Sequence, residues 1–223
     1  DSFSLNTTLP GKGLDVDTSY TCLTKGHVQM TGSLDISSQI TAQGEMNQLL
    51  KALEGPLKMS FHHGVIKKDK VLARVLELLN VTEIVKGRLP NLATRGFLYN
   101  AIRLKGKFHN GKLVIDKFYM DGETLDVVGK GKIHLEERTV DFQLVASPFK
   151  TVNSIIKHIP GLNYLMNDNL VSIPLSITGP MADPKVEVLS ITSVGTSLLN
   201  MAERTIKAPV KLLEAINPWS ENK

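Results

Sequence analysis

Apolar residues recur along this chain with two different periods, and the switches between them mark the elements. The first forty residues alternate. From Gly26 to Ala42 the even positions read Val28, Met30, Gly32, Leu34, Ile36, Ser38, Ile40 and Ala42, while the odd ones are mostly polar, among them His27, Gln29, Thr31, Asp35 and Gln39. A period of two over this length predicts a strand with one buried face. The alternation breaks at Gly44, where Met46, Leu49, Leu50 and Leu53 take up helical spacing until Gly55-Pro56, predicting a helix over about 44–54. A strand from Leu57 to Ile66 follows. Asp69 is then placed to cap a second amphipathic helix, over about 69–80, whose stripe is Val71, Leu72, Val75, Leu78 and Leu79.

Residues 97–147 carry the clearest pattern, because turn chemistry sets the strand register. His109-Asn110-Gly111-Lys112 is a two-residue Asn-Gly hairpin, pairing Phe108 with Leu113, Gly106 with Ile115 and Leu104 with Lys117. One face of that hairpin is Ile102, Leu104, Phe108, Leu113 and Ile115; the other is Arg103, Lys105, Lys107 and Asp116. At the next turn a two-residue loop of Asp121-Gly122 would put Asp126 and Lys130 on the apolar face. A three-residue loop Asp121-Gly122-Glu123 with a bulge puts Leu125, Val127 and Ile133 there instead, and the hydrophobic pattern selects it. An even-numbered loop through Glu137-Arg138 returns Val140, Phe142 and Leu144 to the same side. The expected result is a four-stranded antiparallel meander, aliphatic on one face and charged on the other through Lys105, Lys107, Asp116, Asp126, Lys130, Lys132, His134 and Asp141.

Beyond Ser147-Pro148 a helical stretch with Val152, Ile155 and Ile156 is predicted over about 149–158. A strand pair near Val171–Ile177 and Lys185–Leu189 flanks a turn-rich segment from Gly179 to Pro184. The tail reads as helices over about 192–216, with Leu198, Leu199, Ala202 and Ile206 on one stripe and Val210, Leu213 and Ile216 on another. No low-complexity linker interrupts the chain, so 1–223 reads as a single α+β domain: a curved antiparallel sheet, an open groove or half-barrel over about 1–190, with amphipathic helices capping or covering its apolar face.

Composition narrows the function classes. Of 223 residues 42% are hydrophobic but only 5% aromatic, so the apolar content is aliphatic. No run approaches the roughly 18 apolar residues of a membrane span. The net charge of +4 is spread along the chain and is no nucleic-acid footprint. Lys105, Lys107, Lys130 and Lys132 share one face, but acids are interleaved and Phe118 is the only aromatic there, so a base-stacking platform is not expected. Cys22 has no partner for a disulfide or a zinc site.

Catalytic signatures are missing: no Gly-x-Ser-x-Gly elbow, no His-Glu-x-x-His, no Cys-x-x-Cys, no Walker loop. His62-His63 are adjacent on a strand and point to opposite faces, so they do not chelate one ion together. Asp15-x-Asp17 lacks the rest of a calcium loop. Gly129-Lys130-Gly131 sits inside an antiparallel strand, where the glycines relieve crowding on the concave side of a bent sheet. No catalytic residue, metal or cofactor is expected. What remains is the aliphatic face, which must be covered. Either the amphipathic helices pack across it in an ordinary α+β core, or they cap its ends and leave part open as a trough for acyl chains.

Several segments in order resemble a known family. These are Val75–Val81, Arg95–Tyr99, the Asn110-Gly111 hairpin, Gly129-Lys130-Gly131 leading into Val140–Leu144 and Ser147-Pro148, Ile159–Gly161, and Ile173–Gly179 with Pro184 behind it. Together, over roughly 26–215, they resemble the C-terminal region of AsmA-like proteins of Gram-negative bacteria, the clan that includes TamB and YhdP. The resemblance implies a non-enzymatic, bridge-like phospholipid-transfer protein of the periplasm. Its long β-groove would be anchored in the inner membrane by an N-terminal helix lying outside this sequence. By position, the groove candidates are Ile102, Leu104, Phe108, Leu113, Ile115, Leu125, Val127, Ile133, Val140, Phe142, Leu144, Leu175 and Ile177. The tail helices would plug the groove, pack on the sheet, or touch a membrane surface through Leu198, Leu199, Arg204, Ile206, Lys207, Lys211, Leu213 and Ile216. The implied partner is phospholipid, with envelope proteins as the partners of a purely structural module and no nucleic acid.

Overall fold

The computed structural model describes residues 2–16, 29–67, 69–79, 96–148 and 172–206. Among the described residues ten strands form one antiparallel sheet: β1 (Ser2–Asp15), β2 (Gln29–Met30), β3 (Ser33–Glu45), β4 (Gly55–Lys67), β5 (Phe97–His109), β6 (Lys112–Gly122), β7 (Leu125–His134), β8 (Thr139–Pro148), β9 (Ile173–Pro180) and β10 (Lys185–Val188). Their order is β1-β3-β4-β5-β6-β7-β8-β9-β10, and β2 pairs with β4. Among the described residues three α-helices accompany them: the single turn α1 (Leu49–Ala52), α2 (Lys70–Leu78) and α3 (Thr196–Ile206).

The alternating stretch around residues 29–42 is two strands rather than one. Gly32, at a φ of +120°, breaks it, and a Cβ there would lie 2.6 Å from the His62 carbonyl oxygen. Alternation survives the break because Met30 and Leu34 are both buried. The helix expected over 44–54 shrinks to a 3-10 turn, Met46–Gln48, followed by α1. α2 begins where its cap predicts, with the Asp69 carboxylate accepting from the Leu72 amide at 2.7 Å. The helix expected over 149–158 lies outside the described residues, as do Cys22 and Asp17.

The β5–β6 turn is the expected hairpin, with Asn110 and Gly111 at φ +48° and +70° and Phe108 opposite Leu113. Farther along, the predicted pairing of Leu104 with Lys117 is incorrect: Leu104 stands opposite Phe118, because β6 bulges between Ile115 and Lys117. The β6–β7 loop is corrected with it. Asp121 pairs with Asp126 and Met120 with Val127, so the connection is Glu123-Thr124 and not Asp121-Gly122-Glu123. One residue of slip was required to keep the apolar side chains together, and the bulge absorbs it instead of the turn. Leu125, Val127 and Ile133 therefore keep the expected face, and Phe118 moves onto it.

The sheet curls. Arg74 of α2, the helix that follows β4, donates to the Asp183 carboxylate at 2.7 Å and to the Pro184 carbonyl, beyond the far end of β9. β4 and β9 are five strand spacings apart, ~24 Å in a flat sheet. Only ~7.5 Å of helix rise separates Asp69 from Arg74. The inward face wraps around α2, and its side chains form one core cluster with Val75, Leu76 and Leu79.

Candidate functional site

The register arranges the inward face as rows of side chains running across the strands. Phe61, Ile102, Met120, Val127, Ala146 and Ile173 make one row, all buried. Next come Met59, Leu104, Phe118, Gly129, Leu144 and Leu175, then Leu57, Gly106, Ile115, Gly131, Phe142 and Ile177. The last row, beside the β5–β6 and β7–β8 turns, is Phe108, Leu113, Ile133 and Val140, each half-buried. Burial is lowest in this last row. The inward positions of β5 to β9 in these rows carry no charged side chain.

All thirteen residues expected on the groove face occupy it by register. Eight are buried, namely Ile102, Ile115, Leu125, Val127, Phe142, Leu144, Leu175 and Ile177; Leu104 joins the last row in being half-buried. The glycines of β7 sit beneath Phe142: a Cβ at Gly129 would lie 2.4 Å from its ring, and one at Gly131 2.6 Å from its Cα. The Phe142 ring meets Phe118 edge-on, with centroids 5.7 Å apart, so the middle of the wall is aromatic rather than smoothly aliphatic.

The groove was expected over about 1–190, but the candidate residues leave out the part of this face on β1, β3 and β4. Leu5, Leu9 and Leu14 of β1 lie opposite Ala42, Ser38 and Leu34 and are 39–43% exposed. Their spacing over Ser2–Asp15 belongs to the same alternation as β3. Tyr99, at the other end of this face, donates from its hydroxyl to the Thr31 carbonyl at 2.6 Å, and burial raises its pKa to about 12.

The opposite face is not uniformly charged. Tyr119, Val128 and Val145 form a second apolar cluster there with Val194, Leu198 and Ala202, so α3 packs on the outside of the sheet. Asp126, expected in solvent, is buried beside it, and Lys130 is bound to the Ser197 hydroxyl at the start of α3. Burial first, then the charges of Asp126 and Asp121, hold the Tyr119 phenol protonated well above its usual range. Of the tail candidates, Leu198 is fully buried in this cluster rather than presented to a membrane, Leu199 is partly buried against it, and Arg204 is exposed. The side chain of Ile206, and Lys207, Lys211, Leu213 and Ile216, lie outside the described residues.

At the turn end the Glu54 carboxylate accepts from the Asn110 amide at 3.2 Å and lies 2.9 Å from His109 Nδ1, and Lys51 pairs with Glu136 at 3.2 Å. The β3–β4 connection is thereby fastened to both neighbouring turns. The hydrogen bond to His109 holds the Glu54 pKa below its ordinary value. His62 Nε2 lies 3.4 Å from the Asp35 carboxylate.

A family model described as YhdP protein matches residues 5–186, spanning β1 to the start of β10. The chain belongs to the YhdP family. That family lies within the AsmA-like clan, in keeping with the resemblance noted in the sequence, and it marks the chain as a cell-envelope protein related to lipid transport. No curated protein and no solved structure gives a significant match. No helix among the described residues is long and apolar enough to cross a membrane.

Proposed function

We propose that this YhdP-family domain is a non-enzymatic carrier of phospholipid, sheltering acyl chains on the inward face of its curled sheet in the periplasm. The observation supporting this reading is the largely apolar inward surface from β1 to β9, interrupted at Ser38, free of charged side chains from β5 to β9 and half-buried in the row at the turn end. Acyl methylenes gain from such a wall what aliphatic side chains gain, roughly 25 cal/mol per Å² removed from water. The polar headgroup then stays at the turn end, where water reaches the Phe108 to Val140 row.

A second reading, an envelope assembly module with protein partners and a helix-filled core, is favoured by α2 lying on the same face. One experiment separates the two. A photoreactive benzoyl-phenylalanine placed at Ile133 is expected to crosslink copurifying phospholipid, and the same group at the outward Lys132 is not. Equal labelling at the two positions, or lipid-free protein by native mass spectrometry together with no crosslink at Ile133, refutes the carrier reading.

A further inference from the structure

Helix α2 occupies part of the face proposed to receive lipid. It has nine residues, fewer than the roughly 12–15 an isolated helix needs to persist in water, so tertiary contacts hold it in place. Those contacts are of two kinds. Val75, Leu76 and Leu79 lie in the inward cluster, where an alkyl chain of equal area would satisfy the wall equally well, since burial of apolar surface is non-directional. The polar contacts lie at the margins: Asp69 caps the first turn, and Arg74 reaches Asp183 and the Pro184 carbonyl across the mouth of the curl. Arg74 and Asp183 are both well exposed, with side chains 39% and 67% accessible.

We infer that α2 is a displaceable plug: an acyl chain advancing from the Phe108–Leu113–Ile133–Val140 row exchanges with the Val75–Leu76–Leu79 stripe, and the Arg74–Asp183 pair sets how readily the helix leaves. The inference rests on the carrier reading above. The exchange trades like for like, apolar side chains for methylenes, so it is near balance and a weak polar tether can govern it. An exposed ion pair of this kind biases such an equilibrium by about two- to five-fold.

The test uses the full chain with Cys22→Ser, Arg74→Cys and Asp183→Cys, its two new thiols bridged by a hexyl-spaced bis-maleimide. Uptake is followed from phosphatidylethanolamine–phosphatidylglycerol vesicles containing an acyl-labelled fluorescent phosphatidylethanolamine. Bridging is expected to slow uptake at least ten-fold relative to the unbridged protein, and Arg74→Ala alone to speed it about two- to five-fold with an unchanged circular dichroism spectrum. Equal uptake by bridged and unbridged protein overturns the plug while leaving the carrier reading standing. An Arg74→Ala rate equal to that of the unmodified chain removes the tether. Absence of uptake by every form, the unbridged ones included, refutes the carrier reading and the plug with it.

Discussion

Truncating Leu198 asks which side of the sheet α3 belongs to. Its side chain is fully buried against the outer face, in the cluster of Tyr119, Val128 and Val145. Leu198→Ala removes three carbons, ~2.4 kcal/mol of transfer free energy at ~0.8 kcal/mol per methylene. The cavity left behind raises the cost to about 3 kcal/mol, within the usual range for buried leucines. With a urea m-value of ~2 kcal/mol/M the unfolding midpoint falls by ~1.5 M. Leu199→Ala, one residue along and only partly buried, should cost about 1 kcal/mol and shift the midpoint by ~0.5 M. If α3 undocks before the sheet unfolds, the same 3 kcal/mol appears as a loss of ~100-fold in amide protection confined to residues 198–206. Circular dichroism in urea and hydrogen-exchange mass spectrometry read the two cases. Equal, small effects of both substitutions in both measurements would refute the packing described here and leave the apolar side of α3 available to a membrane.

Gly131→Ala places a methyl 2.4 Å from the Asp141 carbonyl oxygen and 2.6 Å from the Phe142 Cα, backbone atoms that yield only if β7 and β8 separate; a loss of ~1–3 kcal/mol is expected, read as a lowered thermal midpoint. Asp69→Ala deletes the cap on α2 and should cost ~0.5–2 kcal/mol, seen as faster amide exchange over 70–78 with the sheet unaffected. The lowered Glu54 pKa means that its bond to His109 contributes stability that is present above the ordinary carboxylate value of 4.5 and lost as pH falls through the folded value. Carboxyl ¹³C titration should place Glu54 below 4.5, and His109→Ala should move it upward; an unmoved midpoint would contradict the hydrogen bond as the main cause.

The faces of the meander were legible in the sequence because strand side chains alternate strictly, so a buried aliphatic residue identifies the side of every neighbour two positions away. Where the slip occurs was not legible. Hydrophobic patterning demands one extra residue between Ile115 and Val127, and a bulge at Asp116 satisfies that demand as well as a longer turn. Phe118 was misplaced for that reason alone. The outer cluster did leave a signal: Phe118-Tyr119-Met120, Val127-Val128 and Leu144-Val145-Ala146 break alternation with consecutive apolar residues, the mark of strands buried on both faces. Tyr119, Val128 and Val145 are successive cross-strand partners, so the three runs coincide at one level of the sheet. Reading each strand alone hides that coincidence. The hold of Arg74 on Asp183 was beyond the sequence, since those residues meet only once the sheet has curled.

The two longer helices among the described residues, α2 and α3, differ in how well their size matches the surface they cover. On the outer face Tyr119, Val128 and Val145 make a patch about one helix wide, bordered by Lys130 and Asp126, and α3 closes it. Among the described residues the members of that patch are buried beneath α3. On the inner face apolar side chains extend from β1 to β9, interrupted at Ser38, and among the described residues α2 brings one stripe of five, Val71, Leu72, Val75, Leu76 and Leu79, to meet them. The mismatch shows in the half-buried row at the turn end and in Leu5, Leu9 and Leu14 of β1. Exposed apolar surface of this extent is unfavourable for a domain that needs it only for its own core, and it is gathered on one continuous surface rather than scattered singly. That asymmetry makes the inner face, and not the outer one, the candidate for a hydrophobic ligand.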